Sequence, residues 1–188
     1  AIARGKASPI LSTWLAGGAE SQITKTFYDE TAVGVPTDVT TIQENLRNRV
    51  STTSYDNDGN GTYDHATHYS YDLHGNVKTL VQENTHLIDL EQNLKYIDYE
   101  YDLVSGKVNK VLYQNRTTSE GYPQFDRFYH QYYYDSDNRI TNVYTSRDNE
   151  VWEQDAKYYY YAHGPLARTE LGEKKVQGSD YVYTLQGW

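Results

Sequence analysis

A pair of tyrosines two residues apart recurs along this chain, and the recurrence restricts its fold more than any other feature. Tyr-x-Tyr stands at Tyr69/Tyr71, Tyr99/Tyr101, Tyr132/Tyr134, Tyr159/Tyr161 and Tyr181/Tyr183. Self-similarity at a spacing of about 20 to 50 residues is the mark of a repeat architecture. The residues after each pair also repeat. Tyr71-Asp72-Leu73-His74-Gly75-Asn76-Val77 aligns with Tyr134-Asp135-Ser136-Asp137-Asn138-Arg139-Ile140, and Tyr101-Asp102-Leu103-Val104-Ser105-Gly106-Lys107-Val108 aligns with one residue added. The unit is Tyr-x-Tyr-Asp-x-x-(Gly/Asn)-x-(Val/Ile).

Each position has a physical reason. Residues i and i+2 of a strand share a face, so the two rings of a pair stand side by side. The aspartate ends the strand, because its carboxylate accepts backbone N–H groups a few residues on. Gly75, Gly106 and Asn138 fall where the chain must reverse, and these residue types tolerate positive φ. Val77, Val108 and Ile140 restart a strand that Leu80, Val111 and Val143 continue. Polar stretches such as Gln82 to Asn93 and Gln114 to Gln124 connect one hairpin to the next. A single hairpin cannot bury its own face, so the hairpins are expected to pair in series. The predicted fold is all-β: tandem antiparallel hairpins forming an open, curved segment of a larger shell.

The pattern weakens towards both ends. Tyr161-Ala162-His163-Gly164-Pro165-Leu166 lacks the aspartate and carries proline in the turn. Phe27-Tyr28-Asp29 reads as an early copy followed by a long insertion. Gln43 to Val50 admits a short helix, whereas Ser51 to Ser54 favours strand. The chain therefore divides into an irregular segment, residues 1–54, and the hairpin array, residues 55–188.

Composition agrees with thin β-layers. Tyrosine occurs 21 times in 188 residues, Met and Cys are absent, Phe and Trp occur three times each, and the hydrophobic share is 37%. Tyrosine must then supply much of the buried area, through an apolar ring with a polar tip. Seventeen basic against 26 acidic residues give a net charge of -9, with no Lys/Arg cluster to neutralise a row of phosphates. Nucleic acid is not an expected partner. The apolar run Pro9 to Ala16 is too short to span a bilayer, so no membrane insertion is expected. The absence of Cys excludes disulfides and thiolate chemistry. With no Met, and with Gln186-Gly187-Trp188 following the strand-like Tyr181 to Leu185, the sequence reads as a piece of a longer protein.

The Tyr-Asp unit with its Gly-Asn turn resembles the Rhs/YD-repeat family, which includes bacterial polymorphic toxin shells and the extracellular YD-shell of teneurins. The resemblance covers residues 55–188. The stretches Tyr71 to Gln82 and Tyr181 to Trp188 are similar to Rhs proteins of Bacteroidetes in particular. It implies repeats that spiral into a hollow β-cocoon around a C-terminal toxin or effector domain, in a protein secreted from a bacterium or held at its surface. The implied partners are the remaining repeats and the cargo of the same chain, together with a secretion-system component. The family's C-terminal core signature, which closes the shell, has no match here, so the resemblance implies wall and no enzymatic activity.

Three candidate sites compete with plain structural roles. Asp56, Asp58, Asn60 and Asp64 occupy positions 1, 3, 5 and 9 of a Ca²⁺-type loop with Gly61 at position 6, but Thr67 stands where a bidentate Glu is expected at position 12. The same residues make a polar loop between two strands. His65 and His68 lie three apart, which on a strand points them to opposite faces and makes them poor metal co-ligands. No Cys, no Gly-x-Ser-x-Gly elbow and no evident Ser-His-Asp grouping offers a nucleophile. Among the many acidic residues, the recurring Asp72, Asp102 and Asp135 already have turn roles. The tyrosine rows have two readings. They are cross-strand packing, or they are open platforms for sugar rings in an extracellular carbohydrate-binding or adhesion module. Exposure separates the two.

Overall fold

The computed structural model describes residues 21–116 and 126–184. The Pro9 to Ala16 run, most of the Gln114 to Gln124 connection and the stretch from Leu185 to Trp188 lie outside them. Among the described residues eleven strands form one open antiparallel sheet in sequence order. They are β1 (Ile23–Tyr28), β2 (Val50–Asp56), β3 (His65–Tyr71), β4 (Val77–Asn84), β5 (Leu94–Tyr101), β6 (Val108–Tyr113), β7 (Phe128–Tyr134), β8 (Ile140–Ser146), β9 (Glu153–Tyr160), β10 (Leu166–Leu171) and β11 (Gln177–Asp180). A four-residue helix, α1 (Thr37–Thr40), and a 3₁₀ segment (Thr85–Leu90) are the helical elements described. No helix among the described residues is long and apolar enough to cross a membrane.

Five hairpins are built on one register. Tyr71 pairs Val77, Tyr101 pairs Val108, Tyr134 pairs Ile140 and Tyr160 pairs Leu166, each next to a bulge that leaves one residue of the return strand unpaired. Tyr28 pairs Val50 with the same bulge. Phe27-Tyr28-Asp29 is thus a hairpin end whose turn has grown to residues 29–49. Asp29 N–H still donates to Arg49 O (3.1 Å), as Asp72 N–H does to Asn76 O (2.9 Å). The boundary read between residues 54 and 55 falls inside β2. The helix admitted at Gln43 to Val50 does not form; residues 43–46 have no regular structure and residues 47–48 make a turn, with positive φ at Asn45 and Asn48, and the helical turn lies earlier, at α1.

The pair read as Tyr159/Tyr161 is displaced by one residue. Tyr160, not Tyr161, faces Leu166, and Tyr161 N–H closes the turn onto Pro165 O (2.9 Å), so Tyr161 stands in the aspartate's place. Alternation puts neighbouring residues on opposite faces. The repeated pair is therefore Tyr158/Tyr160, and Tyr159 lies on the other side of the sheet.

The two faces differ. One, the tyrosine face, carries Tyr69, Tyr71, Tyr99, Tyr101, Tyr132, Tyr134, Tyr158 and Tyr160, which follows from the strand registers. Most of these are half-buried. The opposite face holds the buried Ala66, Val81, Leu112 and Tyr129. Tyrosine thus supplies less of the interior than its abundance predicts: of those described, Tyr71 and Tyr129 are buried. The first hairpin's long turn lies against the opposite face, where Ser70 Oγ donates to Ile42 O (2.7 Å), Tyr63 OH lies 3.2 Å from Gly34 O, and Val39 is fully buried.

Candidate functional site

The recurrent structure is the seam where one hairpin meets the next. Pairing across each seam stops at a fixed place: Thr52 with His68, Thr79 with Asp98, Lys110 with Gln131, and Asn142 with Lys157. Three residues past each of the second partners stands Tyr71, Tyr101, Tyr134 or Tyr160. Two residues before each of the first partners stands Val50, Val77, Val108 or Ile140. The strands splay between these points, and the phenol closes the gap. Tyr71 OH donates to Val50 O (2.9 Å), Tyr101 OH to Val77 O (2.8 Å), Tyr134 OH to Val108 O (2.7 Å) and Tyr160 OH to Ile140 O (2.7 Å). Two of these clamping rings also carry a guanidinium from the end of the preceding turn, Arg49 over Tyr71 (5.3 Å) and Arg139 over Tyr160 (4.5 Å).

The first tyrosines of the pairs form a second row. Burial, and next the Tyr69 phenol, push the Tyr99 phenol above its ordinary value; burial, then Tyr99 and Tyr158, do the same for Tyr132. The registers set these four rings on alternate strands of the same face. Among the described residues none accepts from or donates to the hydroxyls of Tyr69, Tyr99, Tyr132 or Tyr158. Within a pair the rings face each other, Tyr69 and Tyr71 at 6.4 Å and 22°, Tyr99 and Tyr101 at 6.3 Å and 27°. A ligand approaching this face meets ring edges, whereas a sugar platform presents ring faces.

The turn residues follow from the same register. Asp72 Oδ1 accepts from Gly75 N–H (2.7 Å) and Asn76 N–H (2.8 Å). Asp102 Oδ1 accepts from Val104 N–H and Ser105 N–H, and Asp135 Oδ1 from Asp137 N–H and Arg139 N–H. Burial opposes ionisation of Asp72, but the Asn76 and Gly75 donors outweigh it and hold the carboxyl below its ordinary value. Asp102 is held down mainly by Ser105, and Asp135 mainly by Arg139. Gly75 (φ +100), Gly106 (φ +69) and Asn138 (φ +62) take the left-handed position.

No family model matches this chain, and no curated protein matches it.

The Asp56 to Asp64 loop joins β2 to β3, and its oxygens hold the loop itself. Asp56 accepts from Gly59 N–H (2.8 Å) and Gly61 N–H (2.9 Å), Asp58 from Asn60 N–H (3.1 Å), Asn60 from Thr62 N–H (2.8 Å) and Asp64 from Asn57 N–H (2.8 Å). Among the described residues no three His, Cys, Asp or Glu side chains converge as a metal would require.

Sequence reading missed a buried polar chain on the opposite face. Thr52 Oγ1 meets His68 Nδ1 (3.0 Å), His68 Nε2 meets Glu83 Oε2 (3.0 Å), and Tyr63 OH donates to the same oxygen (3.0 Å). The order is that of a nucleophile, a base and an acid, but Thr52 and His68 are each 1% exposed, so a substrate has no route to the hydroxyl. The chain ties β2, β3 and β4 together beneath the long turn. The next seam repeats its first link, Thr79 Oγ1 donating to Asp98 Oδ1 (2.7 Å), with Arg116 paired to the same carboxylate. No spacing in the sequence announces these partners, because they lie on different strands and meet only through the register.

Proposed function

We propose that this chain is a stretch of wall in a larger shell of the Rhs type. It encloses or presents a C-terminal toxin or effector segment of the same exported bacterial protein and does no chemistry of its own. The observation that carries the reading is the seam. One register, one splay and one phenol clamp recur at four successive joints, which is a rule for adding hairpins in series. An ordinary globular sheet covers or blunts its edge strands, whereas β1 and β11 each have one neighbour among the described strands. Further hairpins are the natural neighbours for both, and a secretion-system component is the route outward.

Electron microscopy of the intact gene product tests this, combined with protease treatment of its C-terminal segment. A hollow particle with a protected C-terminal segment is the expected result. A flat or solid particle with a freely cleaved C-terminal segment would refute the wall reading.

A further inference from the structure

The four seams end alike, but they are not filled alike. At the first, between β2 and β3, residues 42–45 of the long turn lie in the splay and satisfy the backbone that the ladder leaves open. Gln43 Nε2 donates to Ser51 O (2.8 Å) and Tyr69 O (3.3 Å), and Tyr71 N–H donates to Glu44 O (3.1 Å). Asn45 Nδ2 donates to Tyr71 O (2.9 Å), and Ser70 Oγ accepts from Glu44 N–H (3.1 Å). A segment without regular secondary structure thus occupies this seam, bonding mainly through the Gln43 and Asn45 carboxamides and through one backbone carbonyl, Glu44 O.

At the third seam, between β6 and β7, the same backbone stands open among the described residues. Tyr132, Tyr133 and Tyr134 hold the places of Tyr69, Ser70 and Tyr71, since pairing stops at Lys110 with Gln131 just as it stops at Thr52 with His68. No described residue takes the place of residues 42–45. A groove of about 610 Å³ opens there, with Glu100, Asn109, Lys110, Gln131 and Tyr133 among its walls. Among the described residues Glu100 and Asn109 make no side-chain hydrogen bond, and Tyr133 is 49% exposed. Three carboxylates, of Glu100, Asp102 and Asp135, line the groove against one ammonium, that of Lys110.

We infer that the groove between β6 and β7 is a docking slot for a short peptide carrying carboxamide and basic side chains. The peptide bonds to the open backbone at Tyr132 and Tyr134 as residues 42–45 bond to Tyr69 and Tyr71. Carboxamide donors to the open carbonyls, with one backbone bond, supply the affinity, and the walls supply the selection. The acidic lining favours Lys or Arg where the first seam has Glu44, which there pairs with Lys78 (2.8 Å). This inference does not depend on whether the sheet closes into a shell.

The probe is Thr-Ile-Gln-Lys-Asn-Leu-Arg, residues 41–47 with Lys in the place of Glu44, carrying a fluorophore for anisotropy or a benzophenone for photo-crosslinking to the full chain. Saturable binding by ~1 mM peptide is expected, with crosslinks at Tyr133 and its groove neighbours. Tyr133→Ser, which restores the hydroxyl that Ser70 supplies at the first seam, should tighten binding at least about threefold, since a hydrogen bond contributes ~1 kcal/mol. Crosslinks scattered elsewhere, no saturation, or displacement of the peptide by a neutral oligosaccharide with Tyr133→Ser without effect would each overturn it.

Discussion

Replacing the four clamping tyrosines by phenylalanine separates hydrogen bonding from ring packing, because the substitution removes only the hydroxyl. Tyr71, Tyr101, Tyr134 and Tyr160 each donate across a seam at 2.7 to 2.9 Å. A net intramolecular hydrogen bond is worth ~1 kcal/mol, and the carbonyl left behind is half-buried and regains water only in part. Each single change should therefore cost ~1 kcal/mol, or about 2–4 °C in melting temperature for a chain of this size. Successive clamps stand two strand spacings apart, ~10 Å, far enough for the effects to add. The quadruple variant should then lose ~4 kcal/mol. The matched control is Phe at Tyr69, Tyr99, Tyr132 and Tyr158, whose hydroxyls have no partner among the described residues, and single changes there should stay within ~0.5 kcal/mol. Urea titration followed by tyrosine fluorescence and circular dichroism reads both sets. If the control row loses as much as the clamp row, the hydroxyl bonds are not what holds the seams, and ring packing must be credited in their place.

Acid should weaken the hairpins. Asp72, Asp102 and Asp135 are held below their ordinary value, and Asp148 is held down to about 2 by the Val151 and Glu150 N–H groups. Carboxyls lowered on folding contribute stability that is complete above the unfolded value of ~3.9 and is lost as pH falls through the folded value. Melting temperature should therefore drop between about pH 4 and pH 2, and a flat profile there contradicts the turn assignment. Calorimetric titration with Ca²⁺ to about 1 mM, weaker than sensor-type sites require, should give no saturable heat at the Asp56 to Asp64 loop; a signal abolished by Asp58→Ala would restore the metal reading. Gly75→Ala should destabilise more than Gly106→Ala in the same melts, because a Cβ at Gly75 meets Arg49 Nη2 at 2.8 Å whereas one at Gly106 meets open space. Equal losses would mean that positive φ alone sets the cost.

The hairpins were legible because the signal is chemical and local. Tyr-x-Tyr states which face, Asp states where the strand stops, and Gly or Asn states where φ turns positive. The reading slipped where the signal is degenerate. In Tyr158-Tyr159-Tyr160-Tyr161 every parity looks alike, and only the distance from Tyr160 to Leu166, matching that from Tyr71 to Val77, picks the face. The clamps were not legible, because their acceptors are backbone carbonyls, which any residue supplies. The same holds for the seam filling by residues 42–45, where one Gln and one Asn act through positions 26 residues away. The Thr52, His68 and Glu83 chain needed the strand register before its members could be seen as neighbours.

The fixed seam has a consequence for how such a chain changes over generations. Hairpin turns are held to nearly one length, residues 72–76, 102–107, 135–139 and 161–165, while the connections between hairpins run from residues 172–176 to residues 114–127. A whole hairpin can therefore be duplicated or lost as a cassette without disturbing the alignment of its neighbours, because every joint accepts the same edge. Growth by copying needs no new solution to the folding problem at each step. Novelty then accumulates in the connections and in overgrown turns, where the first hairpin has already placed a strap that reaches across to the next joint.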